Sequence, residues 1–287
     1  MGEVAFNADG AASAVGRLRR SANNNQLNWH DRTGSVAFQV LVGGEIFGLT
    51  TSRGGVTSMT IATGVCVDGT QGVTMRLTSA QNSKLVNSAW AVGVTTGMLD
   101  TGTIAASTWY HVFLIYRQDT GVVDSICSTT VATPTMPTNY THYRRIGSFR
   151  TDGSSQIIAY TQDGDYFRWA AGPALDVNAT NPGTSATTST VTVPSGVNVH
   201  AYFNVGLAPS ASGSALYISD LAANDEAASI TATPLAQIRA VTNTASGWAI
   251  VRTNTTAQIR WRVDSSDGST VVRIVALAWW DPRGRNS

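Results

Sequence analysis

The residues from Val197 to Leu207 alternate strictly between two kinds of side chain, and this alternation constrains the fold more than any other feature of the sequence. Successive side chains of a β-strand point to opposite faces, so an alternating run predicts a strand with one core face. The apolar set is Val197, Val199, Ala201, Phe203, Val205 and Leu207. The opposite set is Asn198, His200, Tyr202, Asn204 and Gly206, and we expect it to be outward or paired.

Similar short runs, separated by turn residues, follow one another along most of the chain and are typical of antiparallel β structure. They are Ser35–Val42, Thr57–Val65, Val73–Leu77, Trp109–Arg117, Val122–Ser128, Tyr143–Phe149, Gln156–Thr161, Leu216–Ser219, Gln237–Val241, Trp248–Thr253, Gln258–Val263 and Val271–Trp280. Only Ser79–Ala91 carries apolar residues at helical offsets, which predicts a helix or, alternatively, a loop. Strand followed by helix does not recur, so we do not expect a parallel α/β sheet.

The predicted fold is all-β, with two antiparallel, jelly-roll-like β-sandwich domains behind a short N-terminal arm. A stretch rich in Pro, Asn, Thr and Ser without periodicity predicts a linker between the domains. The predicted segments are an arm at 1–25, a first sandwich at 26–171, a linker at 172–189 and a second sandwich at 190–287. A single sheet-rich assembly that spans both halves is the alternative.

Composition restricts the partners of the chain. Charged residues make up 13% and the formal net charge is +1, so we expect no general attraction to nucleic acid. No window approaches eighteen consecutive apolar residues and no basic head precedes an apolar stretch, so we expect neither membrane insertion nor export by a signal peptide. Cys66 and Cys127 lack metal-ligand spacing and are predicted to be buried free thiols.

Residue patterns that carry catalysis are weak in this sequence. There is no Gly-x-Ser-x-Gly segment and no phosphate-binding glycine loop, and four scattered histidines lack ligand spacing. Of these, His111 on an alternating strand is predicted to be structural. Asp163 and Asp165 could form a carboxylate pair or, like the turn Asp264–Asp267, hold calcium, but ordinary turns are the better interpretation. We therefore expect no enzyme, no cofactor and no metal site.

Three groups of residues are candidates for an interface or a ligand contact. The first is a basic cluster in the arm, and the second gathers aromatic and guanidinium groups that could stack on sugar rings, contact a neighbouring subunit or fill the core. The third ends the chain; adjacent tryptophans on a strand face opposite ways, so one is predicted to enter the core and the other to be covered by a partner or a folded-back tail. The candidates are Arg17, Arg19, Arg20, Tyr140, His142, Tyr143, Arg144, Arg145, Trp279, Trp280, Arg283 and Arg285.

Several segments also resemble parts of known proteins. They are Thr108–Ile115 (TWYHVFLI), Pro137–Ser148 (PTNYTHYRRIGS), Arg150–Ser154 (RTDGS), Gln162–Asp165 (QDGD) and, more weakly, Trp280–Arg285 (WDPRGR). These segments resemble tail-fibre-like and other virion proteins of tailed bacteriophages and prophages. The resemblance covers about a quarter of the chain and involves strand and turn residues, not a catalytic constellation.

The resemblance implies a virion structural protein, assembled in the bacterial cytoplasm, that acts in assembly and attachment to the host. The expected partners are further copies of the chain in a homotrimer or another symmetric oligomer, other virion proteins of the tail or capsid, and a host-surface glycan. A capsid decoration or head-fibre protein is one alternative. A stand-alone carbohydrate-binding module is another, which surface aromatic residues on one sandwich face would favour, whereas matching apolar patches would favour assembly.

Overall fold

The computed structural model describes residues 17–20, 27–30, 35–38, 44–70, 72–232 and 236–285. Every regular element within these ranges is a β-strand, which confirms the all-β prediction. No helix among these residues is long and apolar enough to cross a membrane.

The described strands are numbered here in chain order. Up to residue 150 they are β1 (Arg17–Arg20), β2 (Leu27–His30), β3 (Ser35–Phe38), β4 (Ile46–Gly48), β5 (Thr51–Gly55), β6 (Ser58–Ile61), β7 (Gly64–Val67), β8 (Thr74–Leu77), β9 (Gln81–Ala89), β10 (Gly97–Leu99), β11 (Trp109–Arg117), β12 (Val122–Ser128) and β13 (His142–Arg150). The later ones are β14 (Tyr160–Asp163), β15 (Tyr166–Trp169), β16 (Val177–Thr180), β17 (Thr187–Thr190), β18 (His200–Ala208), β19 (Ser214–Ser219), β20 (Ile238–Ala240), β21 (Ala245–Arg252), β22 (Gln258–Val263) and β23 (Val271–Trp280).

These strands form five sheets within the described ranges. The orders are β1-β2-β3, β13-β11-β12-β10-β9-β6-β5, β4-β7-β8, β14-β15-β23-β18-β21 with β16 also on β23, and β17-β22-β19-β20. Pairing is antiparallel except at β10, which runs parallel to both β9 and β12. The six-stranded sheet is backed by the four-stranded one, since β18 contacts β19 and β20.

The predicted alternation from Val197 to Leu207 is confirmed in β18 and at Val199 just before it. Val199, Ala201, Phe203, Val205 and Leu207 are buried in the core, and the intervening side chains form an outward face. The core itself is continuous across the chain, because one cluster of buried side chains includes members of both halves, from β4 to β23. Burial of this apolar surface is the main favourable term for the fold.

The predicted helix at Ser79–Ala91 is wrong, because this segment contains the nine-residue strand β9. Its buried positions include Gln81, Lys84 and Val86, while Asn82 and Asn87 are exposed. Some core-facing residues of β9 are thus polar. The apolar residues alone therefore follow the spacing of a helix and not the two-residue period of a strand. Backbone pairing with β6 and β10 defines the strand instead.

The division of the chain at 172–189 also differs from the observed pairing. The predicted linker contains β16 and the start of β17, two short strands that pair with β23 and β22. Both strands are short, half-exposed and mostly polar. Their sequence therefore lacks the apolar alternation that would predict a strand. In addition, β14 and β15 precede the predicted boundary but join the sheet of the second half through β23. Strand pairing therefore crosses the predicted boundary, and the choice between two sandwich domains and one assembly that spans both halves stays a prediction.

Lys84, the only lysine of the sequence, is fully buried between β9 and β12. Its Nζ lies 2.9 Å from Oδ1 of Asp124 and donates to the carbonyl oxygen of Ala91 at 2.9 Å and to Oγ1 of Thr96 at 3.1 Å. Asp124 in turn accepts hydrogen bonds from Gln81 and from the backbone of the β9–β10 connection. Because β10 is only three residues long, this network joins β9 to β12 where no strand lies between them.

The burial of Lys84 predicts that an amine-reactive ester will not acylate it in the folded protein. We expect complete acylation in denaturant, because unfolding exposes the amine. The measurement is mass spectrometry of the peptide that contains Lys84, with an added lysine-containing peptide as the internal standard that reacts in both samples. Acylation of Lys84 at the same rate in buffer and in denaturant would contradict this environment.

Candidate binding site at the junction of the two halves

Four aromatic rings from three strands meet where the two halves join. Trp279 of β23 stacks on Phe167 at 5.5 Å between ring centroids, and lies 5.0 Å from Trp169 and 5.6 Å from Trp109 of β11. The indole N–H groups of Trp169 and Trp279 have no hydrogen-bond acceptor within the described residues, so ring packing holds the cluster. The core position predicted for one of the two terminal tryptophans belongs to Trp279.

A buried ion pair lies beside this cluster. Arg145 of β13 forms two hydrogen bonds with the carboxylate of Asp281, which directly follows β23, and one of them measures 2.7 Å between Nη1 and Oδ2. Burial would raise the pKa of Asp281, but the charge and hydrogen bonds of Arg145 outweigh it and hold that pKa below its ordinary value. Asp281 also accepts the backbone N–H of Arg283 at 2.8 Å.

The last residues of the described chain fold back onto the protein. The guanidinium of Arg283 lies 2.8 Å from Oδ1 of Asp165, and Arg285 pairs with the other oxygen of the same carboxylate. Arg283 is buried, and Arg285 is half-buried. The tail is therefore folded back through these arginines, but Trp280 stays 38% exposed, so what covers this ring stays a prediction. Asp165 is correspondingly engaged in ion pairs.

The segment from Tyr140 to Arg145 divides between core and surface. Tyr140 is buried against Trp90, edge to face at 5.1 Å, and Arg144 is buried as well. His142 and Tyr143 are half-buried, and the Tyr143 hydroxyl lies 2.7 Å from Oγ1 of Thr133. Tyr140, Arg144 and Arg145 are thus buried, as the core alternative predicts, and a stacking or subunit contact stays a prediction for this segment.

The remaining candidates fall in β1. Arg17, Arg19 and Arg20 belong to this strand, which pairs with β2, so the predicted arm contains regular structure. The structure describes neither their side chains nor residues 1–16 and 21–26.

The acidic turn Asp264–Asp267 forms hydrogen bonds within the protein. Asp267 accepts the backbone N–H groups of Ala211 and Ser269, and these bonds lower its pKa to about 2. Within the described ranges, no three acidic, histidine or cysteine side chains gather as metal ligands do. Both cysteines are free and buried as predicted, and burial raises the pKa of Cys66 to about 12.

A cleft of about 740 Å³ opens at this junction between β13, the start of β18, the end of β21 and the end of β23. We call it the junction cleft. Its polar and aromatic lining comprises Phe113, Tyr143, Arg144, Arg145, Asp165, Asn198, His200, Arg252, Thr255, Trp280 and Asp281. A volume of this size lies within the roughly 300–1,000 Å³ of ordinary small-molecule sites.

An aromatic row crosses the outward face of the six-stranded sheet and reaches the cleft at Trp280. The row comprises Tyr166, Trp280, Tyr202 and Trp248, from β15, β23, β18 and β21. Successive ring centroids are 4.8, 6.4 and 5.2 Å apart. Trp248 is 57% exposed and Trp280 is 38% exposed, so two large rings of the row face solvent.

The sequence prediction missed most of this surface. The alternation in β18 placed His200 and Tyr202 on the outward face, but it did not show which neighbouring strands would bring further rings beside them. Tyr166 and Trp248 join the row through the sheet order β15-β23-β18-β21. In the sequence, the outward position of Trp248 was indicated by its place on an alternating strand.

Comparisons of the chain with protein-family models, with curated proteins and with solved structures give no significant match.

Breaking the buried ion pair is expected to be costly. Asp281→Asn leaves the Arg145 guanidinium buried without its counter-charge, and we expect a loss of about 3–5 kcal/mol in unfolding free energy. The control is Asp119→Asn, because Asp119 pairs with Arg117 in solvent, with 54% and 33% of the side chains exposed, and solvent screening should make this loss much smaller. Equal losses by urea denaturation would refute the structural role of Asp281.

His111 predicts a pH dependence of stability. It is buried, with Nδ1 2.9 Å from Oγ of Ser148. Burial, reinforced by the charge of Arg145, lowers its pKa from 6.5 to about 4, against a smaller opposing effect of Asp281. Between these values the unfolded chain binds the additional proton, so the stability that neutral His111 contributes is present above pH 6.5 and is lost as the pH falls towards 4.

We expect the contribution of His111 to fall by about 2 kcal/mol between pH 7 and pH 4.5. The variant His111→Gln has a side chain that does not titrate, so its unfolding free energy should vary less with pH by this amount. The control is Asn87→Gln at an exposed position of β9, which changes no titratable group and should keep the parent's pH dependence. If His111→Gln loses as much stability as the parent over this interval, the assignment is incorrect.

Proposed function

We propose that this chain is a structural protein of a bacteriophage virion, tail-fibre-like or tail-associated, that acts in assembly and host-surface attachment and not by turnover. The aromatic row carries the proposal. Trp248 and Trp280 expose large rings on one sheet face, and exposed aromatic clusters of this kind anchor binding partners. The segments that resemble virion proteins supply the second line of support.

The arrangement of the sheets suits such a role. We propose that the molecule consists of two jelly-roll-like β-sandwich layers fused at the junction, the seven-stranded sheet with β4-β7-β8 and the six-stranded sheet with β17-β22-β19-β20. Its partners are two further copies of the chain in a homotrimer and other virion proteins. In the proposed particle, the aromatic row faces the host surface.

Two other functions use the same features. A capsid decoration or head-fibre protein would need the same compact β structure on the particle. A stand-alone carbohydrate-binding module is favoured by a specific observation, because the aromatic row lies on one face of a sheet, as surface aromatics of a glycan-binding module would. The location of the protein separates the three.

The proposal predicts a stable trimer and a place on the particle. Sedimentation velocity of the purified chain should give a single trimeric species. Antibody raised against the chain and coupled to gold should label the tails of intact particles when viewed by electron microscopy. Pre-immune antibody on the same particles is the control.

Other outcomes of this experiment have defined meanings. Gold spread over the head would replace the tail assignment with capsid decoration. A monomer that is absent from purified particles would reject both virion assignments and leave the carbohydrate-binding module.

A further inference from the structure

The junction cleft contains more positive than negative side chains. Five arginines lie in or beside it, and four of them pair with three carboxylates: Asp281 with Arg145, Asp220 with Arg252, and Asp165 with both Arg283 and Arg285. The fifth arginine, Arg144, forms no ion pair within the described residues. Five positive and three negative charges leave an excess of two positive charges.

Arg144 is held in place by neutral acceptors. It is 2% exposed, its Nε donates to the carbonyl oxygen of Arg283 at 3.1 Å, and its Nη2 donates to that of Gly44 at 3.2 Å. Nη1 donates no hydrogen bond to the described part of the chain, and the residue lines the cleft. Burial is the main cause that lowers the pKa of Arg144, and the charges of Arg285, Arg145 and Arg283 lower it further.

A buried guanidinium without a counter-ion costs free energy, and its planar group of donors is suited to a carboxylate. The Cys66 thiol beside it supplies no negative charge, because burial keeps that thiol protonated. An anion that enters the cleft would therefore supply the counter-charge that the described residues do not give to Arg144. The charge excess selects acidic ligands over neutral ones.

The walls of the same cleft suit a sugar ring. Trp280 offers a partly exposed flat face, onto which the C–H face of a pyranose can pack. Tyr143 lies on another wall, and the exposed polar groups of Asn198 and His200 stand at the rim, where hydroxyl groups find hydrogen-bond partners.

We propose that the junction cleft binds an acidic saccharide, with its carboxylate on Arg144 and a sugar ring against Trp280. The proposal rests on the attachment role proposed above and names the class of ligand for it. It assigns to Arg144 a function that its neighbour Arg145, fully paired with Asp281, does not have.

The test is isothermal titration of the full chain with digalacturonate, with its dimethyl ester and with N-acetylneuraminic acid. The ester keeps the size and rings of digalacturonate and removes its charge. We expect at least one of the two acids to bind, digalacturonate at least tenfold more tightly than its ester if it is that one. Arg144→Met and Trp280→Ala should each weaken binding at least tenfold.

Two matched variants control for charge and for an exposed aromatic ring. Arg76→Met removes an exposed arginine outside the cleft, and Phe47→Ala removes an exposed ring outside both the cleft and the aromatic row; both should bind as the parent does. The melting temperature of Arg144→Met should be no lower than that of the parent, because the substitution removes an uncompensated buried charge. Trp280→Ala tests the site independently of any effect at Arg144.

The proposal is overturned if neither acid binds, if the ester binds as tightly as digalacturonate, or if both cleft variants bind like the parent. It is also overturned if Trp280→Ala dissociates a trimer, since the cleft would then hold a second copy of the chain. If gold labels the particles and any of these results is also obtained, the acidic saccharide is rejected as the ligand. The virion role would still hold in that case.

Discussion

Both halves of the molecule depend on the burial of one end of β23. Trp279 and Asp281 are two residues apart, so they lie on the same side of the chain, and both are fully buried. Trp279 contributes apolar area against rings from β11 and β15, and Asp281 contributes a directional pair with β13. Packing alone would tolerate some sliding of one half on the other, but a bidentate ion pair fixes the position.

The same strand geometry makes the outward surface. Because successive side chains alternate, burial of Trp279 and Asp281 places Trp280 on the opposite side, where it joins the aromatic row and the junction cleft. The surface proposed for binding is thus attached to the most tightly held part of the structure. A ligand held there meets side chains whose backbone is fixed by the core, which reduces the entropy lost on binding.

Local patterns in the sequence were sufficient for some of this structure. The alternation in β18 and the adjacent tryptophans of β23 gave the correct faces, because each depends only on the two-residue period of a strand. Long-range electrostatics could not be predicted in the same way: Arg283 finds Asp165, and Lys84 finds Asp124, across large separations in sequence. The same limit explains why β9 was predicted to be a helix, since its buried lysine counts as polar until its partner is known.

The segments for which we propose a likeness to virion proteins meet at the junction. They provide most of β11, most of β13, the turn between β14 and β15, and the tail that begins at Trp280, which together supply Trp109, Arg145 and Asp281. Tyr202 and Trp248, by contrast, lie outside these segments. Side chains that fix the junction are constrained by partners on several strands, whereas outward positions on β18 and β21 are constrained by what they contact in solution. The outer face can therefore change its partner while the residues of the junction keep the scaffold in place.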